Sequence, residues 1–439
     1  MTPALHSWGH YPPFAQQAHT CFWRDEIAAS LAQLIANNGQ TLPFGNGRSY
    51  GDSCLAASDQ VLHMAALNRF ISVDWTTGVI VAEAGVSLLQ ILQFAIPQGW
   101  FLPVTPGTQY VTLGGAIAND VHGKNHHVRG TFGCHIRRFG LLRSDQEALI
   151  CSPSEHAPLF AATIGGLGLT GIITWVELQL LPVRSSQIRC GSLRFAHLQE
   201  FFVLANQYDL EHEYTVAWID CAAKGKQRGR GIFMYGDHAE SGELAFRHKN
   251  KLGVPFSPPI SLINPISLRA FNQLYYYKQP AGLQLADVAY EPFFYPLDAL
   301  PHWNRIYGKT GFQQYQCVIP EAVAELAISE LLQVIAQSGS GSFLAVLKRC
   351  GAMISPGLLS FPLPGVSLAL DFPQLDHVNS KLFPVMDKIV RTAGGRLYPA
   401  KDAHMTAEDF AHFYPQWTQL EAQRDPALCS RFWKRVTQS

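Results

Sequence analysis

The chain has no excess of either charge: 33 lysines and arginines face 33 aspartates and glutamates, and only 15% of residues are charged. It offers no basic field to gather nucleic acid, so that class of function is set aside. Nine cysteines are scattered without a C-x-x-C pair or a finger spacing. Neither a structural metal site nor a disulfide framework is expected, and a reducing cytosol is the natural home. No apolar run approaches the roughly 18–20 residues that a membrane span needs. The start, MTPALHSWGHYPPF, lacks the basic and apolar regions of a secretory signal. Peripheral attachment to the inner face of the cell membrane stays open. Internal repeats and low-complexity tracts are also missing. What remains is a rather apolar globular chain of 439 residues, long enough to make two domains the default.

Residues 24–37 carry apolar side chains at helical spacing and stop at Asn38-Gly39. TLPF then reads as a strand, VIVAEAG (79–85) as another, and residues 87–97 as a helix. LFAATIGG (159–166) reads as helical and TGIITWVELQLLPV (170–183) as a β-branched strand. From 184 to 395 the pattern changes. Strands are expected at 214–220, 231–235, 312–319, 343–349 and 366–372, with helices at 320–337 and 376–392. That layout predicts an α+β domain with an antiparallel sheet. Residues 239–283 are proline-rich with few clear elements, and are expected to form a lid, a binding loop or a disordered stretch. The tail breaks at Gly394-Gly395, forms a short strand, and starts a helix near Thr406, with Asp409 placed for a weak capping box. It is expected to pack back on the first domain.

Two glycine-dense loops carry the chemistry. PFGNGRSYGDS (43–53) and TPGTQYVTLGGAIANDVHGKNHH (105–127) each follow a strand-like segment and are nearly free of acid. Such loops expose backbone N–H groups that can wrap a pyrophosphate, and two of them suggest a large diphosphate cofactor held from two sides, FAD. Arg48, Ser49, Tyr50 and Ser53 add donors that a plain surface turn would not require. Gly166, Gly168 and Gly171 match G-x-G-x-x-G, but with the helix before and the strand after, the reverse of a dinucleotide fingerprint. They read better as a tight turn close to a ligand. His122, His126 and His127 lack a matching carboxylate or cysteine, and Lys124 would repel a cation, so a role beside substrate or flavin is preferred to a metal. Lys348 in FLAVLKR and Lys401 in LYPAKDAH are either functional or snorkelling at strand ends. The run Lys224, Lys226, Arg228, Arg230 is a solvated hairpin face or a contact for anionic lipid or phosphate.

Taken in order, GRSYGDS, PGTQYVTLGGAIANDVHGKNHH, GGLGLTGII, MYGDHA, HWNRIYG, QYQ, SFPLPG and LYPAKDAHMTAE span nearly the whole chain. This set resembles vanillyl-alcohol-oxidase (PCMH) type flavoproteins, and within them the decaprenylphosphoryl-β-D-ribose 2′-oxidase family. The resemblance implies an FAD domain from residues 1–183 and a returning segment 396–439, around a substrate domain at 184–395. It implies FAD contacts at Pro43, Phe44, Gly45, Asn46, Gly47, Arg48, Ser49, Tyr50, Gly51, Asp52 and Ser53. Further contacts fall on Gly107, Thr112, Leu113, Gly114, Gly115, Asn119, Asp120, Val121, His122, Ile173 and Tyr398. Tyr50 stands where covalent flavin-linked relatives often place histidine, which favours non-covalent FAD.

The pocket residues of the family fall on Trp218, Gln314, Gln316, Lys348 and Lys401, with Ala369 where mycobacterial members carry cysteine. The implied reaction oxidises the 2′-hydroxyl of a polyprenylphosphoryl ribose to the keto sugar. It is the first half of an epimerisation for cell-envelope arabinan, completed by a short-chain dehydrogenase partner. Lys401 is the expected catalytic group, with His122 and Lys124 holding the sugar or its phosphate. The alternatives are a soluble alditol or aldonolactone oxidase and a flavin-binding subunit without turnover.

Overall fold

The computed structural model describes residues 4–246 and 252–438. Two antiparallel sheets organise it. A five-stranded sheet runs in the order Phe70–Asp74, Val79–Glu83, Ile172–Gln179, Ile136–Leu142, Leu149–Cys151. An eight-stranded sheet has its functional centre in the neighbouring strands Tyr214–Ile219, Ala345–Cys350, Gly365–Pro373 and Phe312–Pro320, with Arg396–Leu397 at the edge. Every pairing within the larger sheet is antiparallel. The α+β class predicted from the element pattern is the observed one.

Alternation along these strands separates two environments. Ala217, Ile219, Tyr315, Cys317, Leu347, Leu368 and Leu370 point to one face and are buried there with helices Leu198–Tyr208, Ala324–Ser338 and Asp376–Thr392. Their neighbours point to the other face, where register sets Trp218 opposite Val346, Val346 opposite Ala369, and Ala369 opposite Gln316. Lys348 pairs with Ser367, and Gln314 with Asp371, on the same face. A helix-packed core on one side thus holds a row of polar side chains rigidly on the other.

A parallel three-stranded sheet, with Gln60–His63 between Gln17–Thr20 and Leu42–Phe44, carries the first glycine loop. Helix Glu26–Asn38 seals it through Ile27, Leu31 and Leu34 and ends at Gly39, whose φ of +74° suits the predicted stop. The C-terminal segment returns here. Leu428 bridges to Thr41, Ser430 bridges to Ala56, and Arg435 ion-pairs with Asp52 at 2.7 Å.

The stretch 239–283 differs from expectation. Residues 247–251 lie outside the described residues, but Pro265–Lys278 is a helix. Asn264 caps it by accepting from the backbone N–H groups of Ile266 and Ser267 at 3.0 and 3.1 Å, and Pro265 starts it without losing a bond. The apolar period is weak because only Leu268, Asn272 and Tyr276 are buried, so the helix was not visible from hydrophobic spacing. Strands Gln187–Phe195 and Gln284–Ala289 were also missed; they pair with each other in the outer part of the large sheet.

Candidate functional site

A deep cleft, about 2470 Å³ of empty space including its open mouth, runs between the glycine loops and the polar face of the large sheet. Its first wall is made by Pro43, Phe44, Gly45, Asn46, Gly47, Arg48, Ser49, Tyr50 and Ser53. Gly107, Thr112, Gly114, Gly115, Asn119 and Val121 come from the second loop, and Ile173 and Tyr398 complete the surface. The loops are tied together by Asn46, whose side chain donates to the Tyr110 carbonyl at 2.9 Å. They also approach closely, since a Cβ at Gly45 would lie 2.4 Å from Thr112 Oγ1. Arg48 is held under the ring of Trp8 at 4.1 Å and near Tyr110 at 5.2 Å.

The reversed glycine motif forms the expected tight turn between helix Ala157–Thr163 and strand Ile172–Gln179, and Gly168 and Gly171 reach the cleft. Gly168 has φ +76°.

FAD fits this wall. Arg48 Nε and Ser53 Oγ are buried polar atoms without a hydrogen-bond partner, and both residues line the cleft. Buried polar groups are nearly always satisfied, so an oxygen-rich ligand with phosphate and ribityl groups answers what these atoms lack. At Gly107 a Cβ would meet no atom within 4 Å, leaving space against the backbone.

The second wall gathers titratable groups from separate parts of the sequence. Lys348 comes from strand Ala345–Cys350, Lys401 from the turn after Tyr398, and His122 and Lys124 from the second glycine loop. Lys348 donates to the Gly123 carbonyl at 2.8 Å, and burial pulls its pKa down to about 8. Lys124 donates to the Phe293 carbonyl and sits 4.4 Å from the centre of that ring. Burial pulls it to about 7. The Lys401 ammonium lies 3.6 Å from the centre of the Tyr50 ring. Burial lowers its pKa and raises that of Asp371, while their mutual attraction opposes both shifts.

His122 packs against the stacked pair Phe361 and Tyr398, with ring centroids 5.3 and 5.4 Å away. Gln316 Nε2 lies 3.1 Å from its Nε2, which ties the ring to the polar face of the large sheet. Burial and the nearby Lys348 keep its pKa well below the ordinary value. Gln314 donates to Asp371 at 2.6 Å. Trp218 anchors through the Phe343 carbonyl at 2.8 Å, and Ala369 lies beside Gln316 without bulk.

Four residues expected at the cofactor stand behind the wall. A Cβ at Gly51 would meet the Asp402 carbonyl oxygen at 1.7 Å, so this glycine allows two backbones to touch. Asp52 is committed to Arg435, which also reaches Asp402 at 2.9 Å. Leu113 is fully buried in the core. Asp120 accepts from Ser355 and Ser360 at 2.5 Å each and from the Gly133 amide at 2.9 Å. These side chains brace the loops. Asp371 was missed in the sequence, although an acid inside VSLALDF carries the same signal that singled out Lys348. His126 is also structural, accepting from the Gly351 amide at 3.1 Å, and His127 bonds the His212 carbonyl at 3.0 Å. Among the described residues no group of three or more His, Cys, Asp or Glu side chains could hold a metal ion. In the basic run, Arg230 is buried against Asp220 at 2.8 Å, whereas Lys224 and Lys226 are exposed.

Residues 23–152 match the FAD binding domain family model. The decaprenylphosphoryl-beta-D-ribose oxidase of Mycolicibacterium smegmatis is 34% identical over 97% of this chain and 95% of its own length. The chain belongs to the decaprenylphosphoryl-β-D-ribose oxidase family. It is an FAD-dependent oxidoreductase of the PCMH fold type. An uncharacterized Streptomyces coelicolor protein is 32% identical over 78% of the chain and 96% of its own length. Mouse L-gulonolactone oxidase is 30% identical over only 36% of the chain. Family membership thus rests on the full length, while likeness to the lactone oxidases is confined to about a third. Among the described residues no helix is long and apolar enough to cross a membrane.

Proposed function

We propose that this enzyme oxidises the 2′-hydroxyl of a polyprenylphosphoryl pentose to the 2′-keto sugar. The observation that carries the reading is the convergence of Lys124, Lys348, Lys401 and His122 on one buried wall beside the cofactor loops. Asp371 is the carboxylate that opposes the Lys401 shift there. Such an excess of buried basic groups suits a ligand bearing a phosphate and hydroxyls. FAD, when bound, supplies a two-electron acceptor for the hydride leaving the sugar carbon. The chain's own part is the proton. As hydride leaves the carbon, the hydroxyl takes on alkoxide character and must lose its O–H proton to become a carbonyl. Lys401, its ammonium form disfavoured by burial, accepts that proton as the neutral amine. Lys124 and Lys348 hold the phosphate, while His122, Gln314, Gln316 and Trp218 orient the sugar.

The domain roles follow the same reading: residues 1–183 and 396–439 carry FAD, and 184–395 carry the sugar. A polyprenyl tail would leave the cleft past Tyr275, which lines it and belongs to helix Pro265–Lys278. Around that helix Phe256, Ile260, Ile266 and Leu274 are at least 70% exposed, which supports a peripheral lipid contact at the inner membrane face. The keto product calls for a reductase of the short-chain dehydrogenase type to complete an epimerisation.

The test is turnover of polyprenylphosphoryl ribose with an artificial electron acceptor. Lys401→Ala should keep the flavin spectrum and lose about 10²–10⁴-fold in rate. Wild-type turnover by that variant would remove Lys401 from the chemistry. Faster oxidation of free alditols or aldonolactones than of the lipid-linked sugar would replace the substrate assignment.

A further inference from the structure

We propose a second ligand site, for a small primary ammonium ion, on the opposite side of strand Phe312–Pro320 from the flavin cleft. Gln314 and Gln316 of that strand face the flavin cleft, so alternation turns Gln313 the other way. There it lines a separate cleft of about 1060 Å³ of empty space including its mouth, bounded by helix Asp376–Thr392 and the start of Ala407–Phe413.

The amide groups in this cleft have a fixed orientation. Asn379 Nδ2 donates to the Pro373 carbonyl at 3.1 Å, which only an N–H can do, so its Oδ1 is the remaining end. Gln374 Nε2 donates to the Asp376 carboxylate at 2.6 Å, leaving Gln374 Oε1 as an acceptor. Gln313 Nε2 then donates to that oxygen at 2.6 Å. Both amide chains end in acceptors: Gln313 Oε1 and Asn379 Oδ1 are buried and unpartnered, on residues 4% and 3% exposed. Buried acceptors of this kind call for a donor.

The charge of the lining selects which donor. Asp376, Asp387, Glu408 and Asp409 supply four carboxylates. Arg391 pairs with Asp409 at 2.5 Å and His404 lies 3.3 Å from Asp387, which leaves an acidic excess even with both cations charged. An anion is therefore repelled. Among the described residues no three His, Cys, Asp or Glu side chains converge closely enough here to hold a metal ion. A primary ammonium offers three N–H donors and one positive charge, matching two amide oxygens and a carboxylate.

The test uses the flavin-loaded full chain and ethylammonium, with tetramethylammonium at equal ionic strength as a cation without N–H donors. Ethylammonium should raise the unfolding temperature saturably, by roughly 1–3 °C. Tetramethylammonium should not. Ser380→Trp, on the exposed rim of this cleft, should abolish the shift. Gln313→Met, which deletes one acceptor, should weaken binding at least tenfold by calorimetry. Equal shifts with both cations, no saturable shift, or an unchanged affinity in Gln313→Met would overturn the site.

Discussion

The two walls of the flavin cleft are built on opposite principles. The glycine-loop wall offers backbone surface and neutral or permanently charged donors, such as Ser53 and Arg48, whose state does not change near neutral pH. The opposite wall offers three lysines and a histidine whose protonation is set by burial. A cofactor that must stay bound through every turnover is suited by the first. A substrate that must be recognised, deprotonated and released is suited by the second. The walls meet where Gly51 touches Asp402, one residue after Lys401.

Beyond Lys401→Ala, the largest effect is expected at that junction. Gly51→Ala drives a methyl group into the Asp402 carbonyl, and neither backbone can yield independently because Arg435 pins both Asp52 and Asp402. A loss of about 3 kcal/mol, with weakened FAD retention, should be seen in urea unfolding. Unchanged stability would mean that the walls are not rigidly joined.

Lys348→Met removes one cation from the second wall only. Affinity for a phosphate-bearing substrate should fall about ten- to a hundredfold with FAD retained, measured by calorimetry. Loss of FAD instead would erase the distinction between the walls.

A smaller effect is the proton linkage. Bound phosphate favours charged lysines, raising Lys124 from about 7 and Lys348 from about 8. Substrate binding near pH 8–9 should therefore take up protons, and affinity should fall as pH rises above about 8. Calorimetry in buffers of different ionisation enthalpy reads this directly. Without substrate the sign reverses for folding. The lysines' penalty is full below about pH 7 and fades toward their ordinary value of 10.5, so stability gains with pH across that window.

Acid precipitation is the finest probe. Tyr50 cannot serve as a histidine would, and burial pushes the cleft-lining Cys54 thiol up to about 12, far from a nucleophilic thiolate. Yellow colour should leave with the supernatant; a yellow pellet would show a covalent bond in the first wall.

The sequence by itself determined the local features: the glycine loops, the alternating strands, the cap signals at Gly39 and Thr406, and the lysines conspicuous in apolar surroundings. Each depends on neighbours within a few residues, where sterics and periodicity act. It could also weigh the glycine motif at 166–171 correctly, because the order of helix and strand is itself local. What only the tertiary structure decided is which of those features share a space. Asp371 and Lys401 are thirty residues apart, and Lys348 reaches the carbonyl of Gly123 across more than two hundred. Sheet register and the return of the C-terminal segment bring them together. The same step moved Gly51, Asp52, Leu113 and Asp120 behind the surface they were expected to form. The Pro265–Lys278 helix stayed hidden because its exposed apolar residues follow no core, and hydrophobic spacing reports only the faces that the fold chooses to bury.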